Sequence, residues 1–180
     1  VDSSTLLGLA GIGGTVVAAG IGMSGGLLQA SITRRGTAAA EDHKARRQVY
    51  GACATVLLAR RDAVAELREL FRADVLDQSA AEQLLAEIES LRQDAARAIG
   101  AVMVEGPKAV GDAAGHAGLN SERAARRYRG WAADIAGGRD LGDLRTSTLD
   151  TATQDWQYMN WAVGSFLDEC RKVLHPTEQE

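Results

Sequence analysis

The chain has 180 residues, 46% hydrophobic and 24% charged, with 20 Lys and Arg against 24 Asp and Glu for a net charge of −4. That balance excludes a disordered, collagen-like or strongly basic polypeptide. No charged residue lies between Asp2 and Arg34, so the chain reads as an apolar leading segment with a basic flank, residues 1–35, followed by a mixed remainder, residues 36–180.

Residues 6–32 read LLGLAGIGGTVVAAGIGMSGGLLQASI. As a helix this stretch extends roughly 40 Å at about 1.5 Å per residue, more than the roughly 30 Å hydrocarbon core of a bilayer. The length predicts a transmembrane helix. A secretory signal peptide carries positive charge ahead of a shorter apolar stretch, whereas here Asp2 precedes the segment and the cations follow it, so it reads as a retained anchor. Arg34, Arg35, Lys44, Arg46 and Arg47 come directly after it. An excess of Lys and Arg marks the cytoplasmic end, which places the N-terminus outside and the bulk of the chain inside the cell membrane. Close to anionic lipid headgroups each of these cations contributes on the order of 1 kcal/mol. The alternative for the basic run is a solvated helix face.

Every fourth residue of the segment is small: Ala10, Gly14, Ala18, Gly22, Gly26 and Ala30. Residues four apart are neighbours on a helix, and such a row lets a second backbone approach closely in lipid. It predicts a single-pass helix that self-associates through a glycine zipper, giving a homo-oligomer. A second arrangement is a ring in which Thr15, Ser24 and Gln29 line a pore. The blander alternatives are a span that is incidentally rich in Gly and Ala, or a soluble, partner-bound tail.

Two prolines and few aromatics, with many Ala, Leu, Arg and Glu, argue for an all-α fold. Four apolar runs at spacings of three and four follow the leading segment. The first carries Tyr50, Cys53, Leu57, Val64, Leu67 and Phe71, with Arg60 interrupting the stripe. The second runs through Ala81, Leu84, Ile88, Leu91, Ala95, Ala98 and Val102, with Asp77 or Ser79 as its N-cap. Gly106 and Pro107 mark a sharp turn. The third holds Val110, Ala114, Ala117, Ser121, Ala124, Tyr128, Trp131 and Ile135, as one helix or as two broken near Asn120, and Gly137 and Gly138 close it. The fourth has Leu149, Ala152, Trp156, Met159, Val163, Phe166, Cys170 and Val173. Four helices with short turns predict an antiparallel cytoplasmic bundle. Cys53 and Cys170 fall on the stripes as small buried hydrophobes, and Trp131, Trp156, Met159 and Trp161 are packing residues before they are a ligand box.

No catalytic constellation stands out. His43, His116 and His175 lie on separate segments without ligand spacing, so no metal or other cofactor is expected. Gly11, Gly13 and Gly14 lack the Lys and the preceding strand of a phosphate loop. Arg123, Arg126, Arg127 and Arg129 form the densest basic cluster of the bundle. With a negative net charge and the nearby aromatics on the inward stripe, this cluster reads as a solvated face or a docking surface for an acidic protein, with no nucleic-acid partner.

The leading Gly/Ala-rich span, the helix RRQVYGACATVLLARRDAV, the stretch AVMVEGPKAVGDAA and the closing FLDECRKVL together resemble uncharacterised actinobacterial single-pass membrane proteins with a cytoplasmic helical domain. The resemblance covers nearly the whole chain and implies topology only; it carries no functional residues. Members of that group have a more Leu- and Val-rich span. The combined expectation is a membrane-anchored, self-associating scaffold that is not an enzyme, with the lipid bilayer, copies of itself and a cytoplasmic protein as partners.

Overall fold

A computed structural model describes residues 40–176, excepting the side chains of residues 147–150. The small-residue row from Ala10 to Ala30, Thr15, Ser24, Gln29, Arg34 and Arg35 lie outside the described residues. Contacts divide the chain into Val1–Lys44 and Ala45–Glu180. Of the first unit only residues 40–44 are described, as helix. None of the described helices is long and apolar enough to cross a membrane.

The described residues are helical throughout apart from short connections, with no strand among them. Helix α1 covers residues 40–72, α2 Gln78–Glu105, α3 Lys108–Ala136 and α4 Leu141–Leu174. Lys44, Arg46 and Arg47 are exposed on the first turns of α1. The third run is one unbroken helix despite Asn120, whose side-chain amide donates to the His116 carbonyl one turn back.

Local chemistry fixes the helix ends. Asp77 caps α2 by accepting from the Ala80 amide at 3.0 Å, and Asp140 caps α4 by accepting from Gly142 and Asp143. Each satisfies amides that the first helical turn leaves without intrahelical partners. Between α2 and α3 the chain reverses over Gly106 and Pro107, with Pro107 at the N-cap and not inside the helix. A Cβ on Gly106 would stand 2.8 Å from the Val102 carbonyl oxygen, so the turn admits only glycine without backbone movement. Gly138, at φ 91°, makes the turn into α4.

Packing follows the seven-residue repeat. Tyr50, Cys53, Leu57, Arg60, Val64, Leu67 and Phe71 of α1 are all buried, and so are Val110, Ala114, Ala117, Ser121, Ala124, Tyr128 and Trp131 of α3. Both series alternate three and four, the stripe that packs helices at shallow angles in bundles. One apolar cluster joins Tyr50, Cys53 and Leu57 to Val102, Val110, Ala114, Val163 and Phe166. The other joins Val64, Leu67 and Phe71 to Ile88, Tyr128, Trp131, Leu144 and Met159. The start of α1 thus meets the end of α2, the start of α3 and the end of α4, which is an up-down-up-down bundle.

The second cluster ends in an aromatic trio: the Phe71 ring lies 5.6 Å from Tyr128 and 5.3 Å from Trp131, edge-on to the latter. Arg145 of α4 crosses to donate to the Phe71 and Ala73 carbonyls, placing a cation on the C-terminal end of α1. Two inward assignments on α4 change. Asp155 is buried to 1% exposure where the spacing predicts Trp156, which is only half-buried, and Trp161 is exposed. Trp131, Met159 and Trp156 pack in one apolar cluster, as packing residues, and only Trp161 stands apart from them at the surface.

Candidate functional site

The charged residues of the bundle do not all lie on solvated faces. Arg60 stands on the inward stripe of α1 between the two apolar clusters. Its Nη2 donates to Glu122 Oε2 at 2.6 Å. Glu122 also accepts from Arg129 at 2.5 Å, and Arg129 in turn reaches Glu89 of α2 at 2.7 Å. Burial alone would raise the Glu122 carboxyl, but the hydrogen bonds and charges of Arg60 and Arg129 outweigh it and hold the group below its ordinary value. This chain of alternating charges ties α1, α3 and α2 together at mid-height.

A second constellation is centred on Asp155. Its Oδ2 accepts from Arg127 Nε at 2.8 Å, and its Oδ1 lies 2.8 Å from Arg123 Nε in a charge contact that is off the hydrogen-bonding axis. A carboxylate removed from water requires such partners, and here two neighbouring turns of α3 supply them. Next to Asp155 in sequence, the Trp156 ring lies under the Arg68 guanidinium, 4.6 Å from its centroid. That is cation–π geometry.

The basic cluster therefore divides. Arg123 and Arg127 are fixed by Asp155, Arg129 by Glu122 and Glu89, and Arg126 forms no ion pair among the described residues. Arg123, Arg126 and Arg127 line a cavity of about 390 Å³ with Arg139, Asp134 and Trp131, near the turn between α3 and α4. Arg126 also borders an open groove of about 580 Å³ between α2 and α3. Ile99, Met103 and Leu119 line that groove, and the side chains of Met103 and Ile99 lie over Gly115 and Gly118. Met103 and Leu119 are 54% and 71% exposed.

The chain matches no protein-family model, no curated protein sequence and no solved structure. Its candidate sites stand on their own geometry.

The arginine cluster is visible in the sequence, and what organises it is not. Asp155 lies one residue from the predicted inward position, and its partners come from another helix, so no spacing along α4 announces the pair. Arg60 was visible as a break in an otherwise apolar stripe, a signal that a buried cation needs a carboxylate nearby. The thiols are where the stripes place them: Cys53 is fully buried and Cys170 is 7% exposed. Among the described residues, no group of three or more His, Cys, Asp or Glu converges as a metal site.

Proposed function

We propose that this protein is a membrane-anchored, self-associating helical scaffold, held by its leading span with the bundle on the cytoplasmic side, and that it works by binding partners and not by catalysis. The observation that carries the reading is the contrast between two parts of one chain. Thirty-one consecutive uncharged residues rich in Gly, Ala and Leu precede a bundle that packs its own apolar stripes into two clusters. A bundle closed in this way needs no further cover for those stripes, so an uncharged apolar leader has its best use elsewhere, in lipid or against copies of itself.

The chemistry of the bundle supports a binding role. The groups a catalyst would use are engaged or blunted: Glu122 is held ionised between two arginines, and burial pushes Cys53 up to about 11 and Cys170 up to about 12. The groove between α2 and α3, with exposed Met103 and Leu119 on its rim, has the apolar floor and charged border on which a partner helix docks. Lys44, Arg46 and Arg47 are exposed on the first turns of α1, which leaves their charges available to anionic headgroups and supports the reading of a basic collar.

The test is extraction and sizing of the full chain. Membrane partitioning that resists alkaline carbonate, with an oligomer in detergent that Gly22→Ile together with Gly26→Ile dissociates, is the expected result. Purification as a stable monomer without amphiphile overturns the reading. Ion flux in vesicles that the same substitutions abolish favours the ring of helices lined by Thr15, Ser24 and Gln29 over a scaffold.

A further inference from the structure

We infer that the cavity at the α3–α4 end is a binding site for a phosphoryl group. Its lining is cationic in a chain whose net charge is negative: Arg123, Arg126, Arg127 and Arg139 face Asp134, with Asp155 behind. Four guanidinium groups against two carboxylates leave two positive charges to be neutralised, the charge of a phosphate dianion.

The cluster is organised from within by a buried carboxylate. Asp155, 1% exposed, accepts a hydrogen bond from Arg127 Nε and holds the exposed Arg123 by charge alone, 2.8 Å from its Nε. A guanidinium carries five donors in a fixed fork, so anchoring through Nε orients the group and leaves its Nη donors for a ligand. Arg139 is steadied by Asp134 at 3.1 Å, and Arg126 has no ion-pair partner among the described residues. A planar carboxylate is satisfied by a single bidentate arginine, whereas a tetrahedral oxyanion takes donors from several directions at once. Four arginines from α3 and the following turn supply those directions. The cavity of about 390 Å³ is larger than a phosphate ion and leaves room, beside the Trp131 wall, for what the phosphoryl group is attached to.

That chemistry has two sources, a soluble phosphate monoester and a phospholipid headgroup. The site lies wholly within the bundle, so the inference is independent of the membrane-anchored reading of the leading segment.

The full chain in detergent is titrated calorimetrically with inorganic phosphate, glycerol 3-phosphate and citrate, and with short-chain phosphatidic acid and short-chain phosphatidylcholine dispersed in the same detergent. Binding of inorganic phosphate or glycerol 3-phosphate identifies a soluble ligand. Binding confined to phosphatidic acid identifies a headgroup. In either case Arg126→Ala should weaken binding roughly tenfold or more, the loss expected for a charge-assisted hydrogen bond. Arg97→Ala, an exposed arginine elsewhere on α2, should leave binding unchanged. Since Arg126 touches no ion-pair partner, its removal should leave the thermal unfolding midpoint in place, which separates loss of the site from loss of the fold. Absence of binding to every phosphate probe overturns the inference. So does equal affinity of the wild type and Arg126→Ala, or citrate binding as tightly as the phosphates.

Discussion

Arg60 and Glu122 meet at 2.6 Å across the α1–α3 interface, and the arginine side chain is 3% exposed while the glutamate is 26% exposed. The asymmetry decides what each contributes. Removing Glu122 leaves a buried cation with its main counter-charge gone, whereas removing Arg60 leaves a half-solvated carboxylate still bound to Arg129. Glu122→Leu should therefore destabilise the bundle by about 3 kcal/mol, the lower end for breaking a buried ion pair from one side. Arg60→Met, which fills the stripe with an apolar side chain of similar length, should change stability by less than about 1 kcal/mol. Urea unfolding of both variants measures the difference, and equal losses would show that Arg60 is not the desolvated partner.

The same pair sets an acid limit. Glu122 is depressed in the folded chain, so the folded state binds fewer protons there than the unfolded chain does. The stabilisation is fully present above the ordinary carboxyl value of about 4.5 and is lost as pH falls through the lower folded value. Unfolding free energies between pH 6 and 3 should fall more steeply in the wild type than in Glu122→Gln. Parallel curves would place the acid sensitivity elsewhere.

Glycine substitutions should divide by location. Gly51 and Gly164 lie inside helices with nothing within 4 Å of an added Cβ, so alanine at either should stabilise by roughly 0.5–1 kcal/mol. A Cβ at Gly118 would fall 2.5 Å from the Ile99 terminal methyl, which can swing aside for alanine but not for a larger group. Gly118→Leu should destabilise by about 1–3 kcal/mol through overpacking of α2 against α3. Gly106→Ala meets backbone and Gly138→Ala meets a positive φ, so both should lower the thermal midpoint.

These contrasts also mark how far the sequence could be read. The stripes of α1 and α3 were legible residue by residue, because a three-four alternation of apolar groups has one helical solution. Helix α4 was less so: Trp156 is larger and more apolar than Asp155, and adjacent residues lie only about 100° apart around a helix, so composition alone points to the wrong one. What buries Asp155 is its pairing with Arg123 and Arg127, 32 and 28 positions earlier in the chain. The cavity that the arginines line is equally a property of two helices and a turn, and nothing local encodes it.

The thiols supply the last prediction, from their position between α1 and α4. Cys53 and Cys170 belong to one apolar cluster, and the charge of Cys53 bears on Cys170. Burial pushes Cys53 up to about 11 and, with Cys53 and Glu169 adding to it, Cys170 up to about 12, from an ordinary 9.0. The folded state therefore holds protons that the unfolded chain releases, and stability should fall as pH rises from about 9 toward those folded values. Below pH 9 the thiol is protonated in both states and contributes no slope. Cys53→Ala should flatten the alkaline limb of a stability–pH curve, at the expense of a small cavity. At pH 8 an aromatic disulfide reagent should label Cys53 only at the rate of global unfolding, because the nucleophile is the thiolate and the site is fully buried. Cys170, 7% exposed and one turn from the end of α4, should react sooner through fraying of that turn. Rapid stoichiometric labelling of Cys53 in the native state would show that α1 and α4 separate far more readily than their packing allows.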